Sequence, residues 1–248
     1  MSETKTDKGA CLIVGAGDGL GGAIGRAFAR HGHPVCVTRR ARNLDQLESL
    51  ASTIRGAGGK AHAFGVDARN DDDMIGLFNR IESQIGALEV VVFNIGANVR
   101  FGITETTARV FSKVWEMACF TGFLTVREAA RVMLPRGCGS ILITGATASM
   151  RGREGFSAFA SAKAGLRAVA QSAARELGPR GIHVAHIVVD GAIDGVFTRS
   201  NRADVDSLLK ENRILKPDEI AANFVMLHQQ PRSAWTHELD LRPWSESW

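Results

Sequence analysis

A cluster of glycines begins at Gly15 and continues through Gly19 and Gly21. It lies between an apolar run at 11–14 and a helix-length segment at 21–31. Glycine at such positions lets the backbone turn tightly and approach a pyrophosphate, and the amides that open the helix face the anion. Glycines also serve ordinary strand-to-helix turns, but this placement favours nucleotide binding. We expect Gly15, Gly19, Leu20 and Gly21 to contact the nucleotide.

Three further motifs follow the glycine cluster in order along the chain. An Asp-Ala pair lies at 67–68, an Asn-Ile-Gly segment at 94–96, and Phe159 precedes Lys163 by four residues. In this order and spacing the motifs resemble the adenine-contacting Asp-Val pair, the end of the Asn-Asn-Ala-Gly motif and the Tyr-x-x-x-Lys motif of the short-chain dehydrogenase/reductase family. The resemblance covers nearly the whole chain. It implies further cofactor-binding residues, namely Asp67, Ala68, Asn94, Gly96 and Lys163.

The same resemblance implies a fold and a cofactor position. The expected fold class is α/β, a single doubly wound, Rossmann-type parallel sheet of about seven strands with helices on both faces. The nicotinamide is expected at the carboxyl ends of the central strands, where the strand order reverses.

Two arginines, Arg39 and Arg40, follow the second apolar run at 35–38. An acid at this point would hold a ribose 2′-hydroxyl, whereas a guanidinium suits a 2′-phosphate. We therefore predict that NADP(H) is preferred, with NAD(H) as the other possibility. A solvated basic turn is the alternative interpretation, which nearby Arg42 supports. Asp18 also weighs against NADP(H), because similar NADP-preferring proteins often have a basic residue there.

The proton-transfer residues that the resemblance implies are missing. In that family a Tyr gives its proton to the carbonyl oxygen, a Lys lowers the pKa of the Tyr and holds the ribose, a Ser orients the carbonyl and an Asn supports a proton-relay water. This chain contains no tyrosine. The matching positions hold Phe159, Ala146 and Ala118, and only Lys163 remains.

The loss is expected to affect the rate strongly. General acid catalysis contributes about 10²–10⁴-fold, so the usual mechanism should be severely impaired. A shift of one residue would bring Thr147 or Gly145 to the Ser position, but no shift creates a tyrosine. The three replacements are all apolar, so they form a consistent substitution of the site.

Asp190 and Lys163 are the two candidate catalytic residues. Asp190 follows the sixth apolar run, and an Asp in a partly apolar cleft can have a raised pKa and donate a proton. The more frequent role of such an Asp is to cap or hydrogen-bond a loop. Lys163 could protonate an alkoxide if desolvation lowered its pKa, but ribose anchoring explains its presence equally well.

Short apolar runs alternate with amphipathic segments along the chain. Strands are predicted at 11–14, 35–38, 61–66, 88–94, 140–144, 184–189 and 238–241, and helices at 21–31, 44–57, 71–85, 108–134 and 156–177. This alternation is typical of a parallel sheet covered on both faces. Without a Pro- or Ser-rich linker, we expect one dinucleotide-binding domain over residues 1–248, with residues 1–9 as a flexible tail.

Composition narrows the class of protein. The 248 residues are 45% hydrophobic and 23% charged, which is typical of a globular protein. No apolar run approaches the roughly 20 residues of a membrane helix, and the polar start lacks a secretion signal. The four cysteines and seven histidines show no ligand spacing. We expect a cytoplasmic protein without a metal site and without membrane partners.

The charge distribution, an alanine-rich segment and the tryptophans near the chain end indicate which macromolecular partners to expect. The net charge of +4 comes from dispersed residues, and no nucleic-acid recognition motif is present, so no nucleic-acid partner is expected. The segment 156–177 is rich in alanine, which permits close helix approach. Trp235, Trp244 and Trp248 are large apolar groups near the chain end. We predict a homodimer or homotetramer. Alternatively, the tryptophans fold back on their own domain.

Two functions fit these observations. The first is an NADP(H)-dependent oxidoreductase that acts on a small carbonyl or alcohol with a non-standard or impaired proton donor. The second is a catalytically silent NADP(H)-binding protein of the same fold, a sensor or a structural subunit. The segment 195–215, where the family's substrate-covering loop lies, carries Arg199, Arg202 and Arg213. These arginines suit either an anionic ligand or a solvated helix.

Overall fold

The computed structural model describes residues 8–246. Within them, seven parallel strands form one sheet in the order β3-β2-β1-β4-β5-β6-β7. The strands are β1 (Ala10–Val14), β2 (Val35–Arg39), β3 (Ala61–Gly65), β4 (Leu88–Phe93), β5 (Gly139–Thr144), β6 (Ile182–Val189) and β7 (Glu238–Leu241). This confirms the predicted fold class. Most of the predicted tail, residues 1–7, and Trp248 lie outside the described residues.

The helices cover both faces of the sheet. They are α1 (Leu20–Arg30), α2 (Leu44–Gly56), α3 (Asp71–Gln84), α4 (Ala108–Trp115), α5 (Thr121–Met133), α6 (Thr147–Met150), α7 (Ser157–Leu177), α8 (Val196–Asn201), α9 (Val205–Lys210) and α10 (Pro217–His228). One core packs the sheet against α1, α2 and α10, and the other packs it against α3, α5 and α7. Along β1, Leu12 faces one core and Ile13 the other, because successive strand side chains point to opposite faces.

The predicted helix 108–134 is interrupted in the structure. The α-helical pattern ends at Trp115, a π-helical turn spans Glu116–Phe120, and α5 continues from Thr121. The sequence there contains neither proline nor glycine before Gly122, so nothing in its composition indicates the irregular turn. Such turns are frequent at functional sites. The buried Ala118 lies within this one.

The last part of the chain contains helices that the strand–helix alternation did not assign. Helix α10 begins with Pro217 at its first turn, a favoured position because that residue's N–H has no helical partner. Its buried side chains, Ile220 and Phe224 among them, complete the core beside α1. Two short helices, α8 and α9, occupy much of the segment 195–215.

None of the helices within residues 8–246 has the combined length and apolarity that crossing a membrane requires.

Candidate functional site

A cleft of about 520 Å³ opens at the carboxyl ends of β1, β2, β3 and β4. Strand order reverses between β1 and β4, and in such sheets the crevice at this switch point binds ligands. Every predicted cofactor-binding residue except Lys163 lines this cleft: Gly15, Gly19, Leu20, Gly21, Arg39, Arg40, Asp67, Ala68, Asn94 and Gly96. The fold thus brings together motifs that lie far apart along the chain.

The glycine cluster forms the floor of the cleft. Gly15 has a φ of 96°, a left-handed conformation that favours glycine. A Cβ at Gly21 would lie 2.6 Å from the Gly15 carbonyl oxygen, so a side chain there would push the loop apart. Gly19 is the N-cap residue of α1, and among residues 8–246 no side-chain hydrogen bond caps this end of the helix. The first-turn amides therefore offer hydrogen-bond donors to an anion in the cleft.

Arg39 and Arg40 lie at the side of the cleft formed by the end of β2. The Arg39 guanidinium donates a hydrogen bond to Gln46 Oε1 at 3.0 Å and lies beside Gly17. Arg40 is half-buried and lines the same wall. Arg42 is exposed and is not among the residues lining the cleft in the described part of the chain. The two predicted arginines are therefore placed where an additional phosphate can be bound.

Asp67 is held in the cleft wall by an arginine that the sequence did not single out. Arg69 donates to both carboxylate oxygens of Asp67, with Nε–Oδ1 at 2.9 Å and Nη2–Oδ2 at 2.5 Å. These hydrogen bonds lower the pKa of the Asp67 carboxyl. Arg69 Nη1 also lies 3.7 Å from Glu116 Oε2 in the π-helical turn. Arg69 is thus a third arginine in the lining, beside Arg39 and Arg40.

Asn94 connects the glycine loop to the middle of the sheet. Its side-chain amide donates to the Gly15 carbonyl at 3.0 Å, and its Oδ1 accepts from the Thr144 hydroxyl at 3.0 Å. The amide hydrogen bond fixes the loop in the conformation that exposes its backbone. Asn94 therefore positions the cleft floor in addition to lining it.

Lys163 is buried behind the cleft wall. Its ammonium group donates to the carbonyl oxygens of Ile95, at 3.1 Å, and Thr144, at 2.9 Å. The side chain is only 2% exposed, and burial lowers the pKa of Lys163 to about 8. In this arrangement Lys163 joins the loop after β4 to the end of β5. Of the predicted cofactor-binding residues, it is the one that the cleft does not expose.

An apolar cluster surrounds the positions where the proton-transfer residues were expected. Phe159 and Ala118 are both part of it, and Ala146 packs against it. Phe159 precedes Lys163 by four residues on α7, so the two side chains share one face of the helix. The side chains at these three predicted positions therefore pack together in and around one apolar cluster.

Asp190, the other predicted catalytic residue, is engaged by its neighbours. It is 1% exposed, accepts from the Thr147 hydroxyl at 2.5 Å, and lies 3.2 Å from Arg151 Nη2 and 3.6 Å from Arg242 Nη2. Within residues 8–246 it is not part of the cleft lining. These contacts match the loop-bonding role weighed for Asp190 from the sequence.

The arginines of segment 195–215 are paired with nearby carboxylates. Arg199 lies against Asp194 and Asp206, at 2.7 and 3.0 Å. Arg202 and Arg213 have similar partners in Asp204 and Glu211. These exposed pairs match the solvated-helix interpretation of the segment. Its contribution to the cleft is the exposed ring of Phe197.

Several lining residues were not expected from the sequence. They come from the ends of β1 and β2, the turn after β2, the π-helical turn, the starts of α5 and α8, and positions beside the predicted motif residues: Val14, Ala16, Gly17, Thr38, Asn43, Val66, Arg69, Ile95, Met117, Thr121 and Phe197. The apolar ones carry no chemical signature. Arg69 was detectable only as a basic residue two positions after Asp67.

Comparisons with known proteins agree with this architecture. A crystal structure of a short-chain dehydrogenase from Rhodopseudomonas palustris is 47% identical, with a TM-score of 0.81 over 95% of this chain and 98% of that one. The 3-oxoacyl-[acyl-carrier-protein] reductase MabA of Mycobacterium avium is 31% identical over 76% of this chain and 69% of its own length. A metagenomic short-chain oxidoreductase in complex with NADP has a TM-score of 0.77 at 22% identity, covering 95% of this chain and 97% of that one, which shows the fold alone.

The sequence model described as short chain dehydrogenase matches residues 9–206. The matched region includes the glycine cluster, Asn94 and Lys163, and it ends within α9. On this match and on the shared fold, the chain belongs to the short-chain dehydrogenase family.

Proposed function

We propose that this chain binds NADP(H) in the cleft and that its carbonyl reduction is impaired because Phe159 occupies the position of the proton donor. The observation that carries the proposal is the packing of Phe159, Ala118 and Ala146 in and around one apolar cluster beside Lys163. None of the three offers a proton to a carbonyl oxygen. The family supplies the expectation of a nicotinamide cofactor.

The residues of the cleft suit a dinucleotide. The backbone at Gly15 and Gly21 leaves space that a Cβ would fill, and the first-turn amides of α1 face that space. Arg39 and Arg40 suit a 2′-phosphate on the adenosine ribose. When bound, NADPH supplies a hydride for reduction of a carbonyl. The substrate we propose is a small carbonyl compound or alcohol, since the family acts by this chemistry.

NADPH binding should depend on the close approach at Gly21. Gly21→Ala places a Cβ 2.6 Å from the Gly15 carbonyl oxygen and 3.0 Å from Asn94 Nδ2, so the loop must move. We expect at least about tenfold weaker NADPH binding, the equivalent of one lost charge-assisted hydrogen bond. Titration of NADPH fluorescence measures this. Gly76→Ala is the matched control, because a Cβ there meets nothing within 4 Å. Equal weakening in both variants would contradict the assignment of the cleft.

NADPH should bind more tightly than NADH, and Arg40 should carry much of the difference. A partly exposed contact between a guanidinium and a phosphate contributes about 1.5–3 kcal/mol, which is on the order of tenfold to a hundredfold in affinity. Arg40→Ala should reduce the ratio of the two affinities by that factor, whereas Arg42→Ala should leave it unchanged. Equal affinities of the wild type for both cofactors would contradict the predicted preference for NADPH. An unchanged ratio in Arg40→Ala would assign the role to Arg39.

A second candidate function is an active oxidoreductase in which Lys163 donates the proton. The observation that favours it is the lowered pKa of Lys163, about 8, because an acid with a pKa near the working pH transfers protons efficiently. Its two hydrogen bonds to backbone carbonyls argue for the structural role instead. A carbonyl panel with NADPH separates the two. Brisk turnover that falls as the pH rises through 8 would support Lys163.

We also propose that the chain forms a homodimer or homotetramer. Ala164 and Ala168 are exposed on α7, and Phe111, Trp115 and Phe123 are exposed large apolar side chains on α4 and α5. Trp235 instead stacks on His183, with ring centroids 4.8 Å apart, so it folds back on its own chain. Light scattering should give a multiple of the chain mass of 26.6 kDa. A value of 26.6 kDa at micromolar concentration would refute the proposal.

A further inference from the structure

Three metal-ligating side chains meet at the amino ends of the strands, the edge of the sheet opposite the cleft. His33 precedes β2, Glu89 lies in β4 and His228 is the last residue of α10. One ligand atom from each lies within 4.8 Å of the other two. These residues are far apart along the chain, so ligand spacing in the sequence does not predict a metal site here. We propose that His33, Glu89 and His228 bind a divalent transition-metal ion of the zinc class.

The separations match the geometry of such an ion. Two ligand atoms bound to one tetrahedral Zn²⁺ at about 2.0–2.2 Å lie roughly 3.3–3.6 Å apart. His228 Nε2 is 3.4 Å from Glu89 Oε1, and His33 Nδ1 is 3.7 Å from Glu89 Oε2. No pair of the three ligand atoms is more than 4.8 Å apart, so the widest pair must close by about 1 Å to seat the ion. Two imidazoles and one carboxylate also form a known zinc ligand set, which leaves the fourth position to water.

Neighbouring groups hold these ligands in place. The Ser140 hydroxyl lies 2.9 Å from His228 Nδ1, which leaves Nε2 facing Glu89. The Gly9 amide donates to Glu89 Oε2 at 2.8 Å. Hydrogen bonds to Glu89 and to His228 of this kind orient ligands in metal sites and raise their affinity. His33 Nδ1 donates to the Gly9 carbonyl oxygen at 2.9 Å, so the ion must displace the proton of this nitrogen and replace that hydrogen bond.

Packing and exposure are also suitable. The Phe28 ring lies 5.5 Å from the His33 ring and 5.9 Å from the His228 ring, between centroids, so an apolar side chain supports both imidazoles. The His33 side chain is 1% exposed and that of His228 is 13% exposed, whereas Glu89 is 38% exposed. The site is thus closed on its histidine side and open at the carboxylate, which gives an ion a path from solvent.

The experiment measures Zn²⁺ binding to the full chain, produced without a histidine tag and freed of metal with a chelator. Isothermal titration should show one ion per chain with micromolar or tighter affinity. Glu89→Gln and His228→Gln, which conserve size, should each weaken binding at least about tenfold. His62→Gln removes an exposed histidine on β3 that is not one of the three ligands, so it is the control and should bind as the wild type does. Absence of saturable binding, or unchanged binding in the two ligand variants, would overturn the proposal.

A second measurement uses the wild type alone, so it tests the site even if the variants fail to fold. Co²⁺ added to the metal-free wild type should give the intense visible absorption of a tetrahedral ion, and one equivalent of Zn²⁺ should remove it. A weak octahedral spectrum would contradict the proposed ligand set. Neither readout depends on NADPH or on turnover, so these experiments test the metal site independently of the proposed function.

Discussion

Phe159→Tyr combined with Ala146→Ser should raise the rate of NADPH-dependent carbonyl reduction about 10²–10⁴-fold above the wild type. The tyrosine hydroxyl would lie on the same face of α7 as Lys163, whose positive charge lowers the pKa of a nearby phenol. The serine would provide a hydrogen-bond donor for the carbonyl oxygen. Loss of NADPH absorbance across a panel of ketones and aldehydes measures the gain.

The matched control is Phe156→Tyr. Phe156 packs against the same apolar cluster, three residues earlier, and a hydroxyl there should leave the rate unchanged. Ala118→Asn belongs in a third variant, because residues that act as a unit contribute non-additively. If the triple variant binds NADPH and still shows no gain on any carbonyl, the missing proton donor is not what limits this site. Brisk wild-type turnover that Asp190→Asn abolishes would show that Asp190 is the acid.

Comparison with Lys163→Met should show that the buried ammonium of Lys163 lowers the free energy of unfolding of the cofactor-free protein, and that this effect depends strongly on pH. Burial lowers the pKa of Lys163 from 10.5 to about 8. Below pH 8 the lysine is protonated in both the folded and the unfolded chain, so the free energy of unfolding is lowered by the full amount. Between 8 and 10.5 the unfolded chain binds more protons, so stability rises with pH. The gain over this range is about 3 kcal/mol.

Denaturant unfolding of both proteins from pH 7 to 10.5 tests this prediction. The free energy of unfolding of the wild type should increase relative to that of Lys163→Met as the pH rises. The methionine keeps much of the volume of the side chain but donates no hydrogen bond to Ile95 or Thr144. Lys60→Met is the control, since Lys60 is exposed. A difference that stays constant over the whole range would show that Lys163 is not desolvated.

The sheet was predictable from sequence because its strands are short apolar runs between helix-length segments. The predicted strand at 35–38, for example, corresponds to Val35–Arg39 in the structure. The π-helical turn at Glu116–Phe120 was not predictable, since its residues carry no helix-breaking signal. It arises where α4 and α5 meet α7, which is a matter of tertiary packing.

The cleft could be predicted where residue type determines backbone geometry. The left-handed φ at position 15 favours glycine, and the close approach of the Gly15 carbonyl oxygen at position 21 leaves no room for a Cβ. Both requirements are visible in the sequence as glycines. Met117 and Phe197 also line the cleft, but apolar side chains at these positions look like any others in a sequence. The cluster of His33, Glu89 and His228 was missed for a different reason, because its members come from separate elements. Ligand spacing along the chain carries no information about such a cluster.

A single-turnover experiment tests most directly whether the chain keeps a dinucleotide site and lacks a proton donor. Wild-type protein in excess is mixed with NADPH and then with a carbonyl panel, and the fluorescence of the bound cofactor is followed. The signal is the increase of NADPH fluorescence above that of the free cofactor, so binding makes it appear and hydride transfer makes it decay. We predict that the signal appears and stays constant for minutes with every carbonyl. A signal that never appears would contradict the binding site, and one that decays within seconds would contradict the loss of the donor.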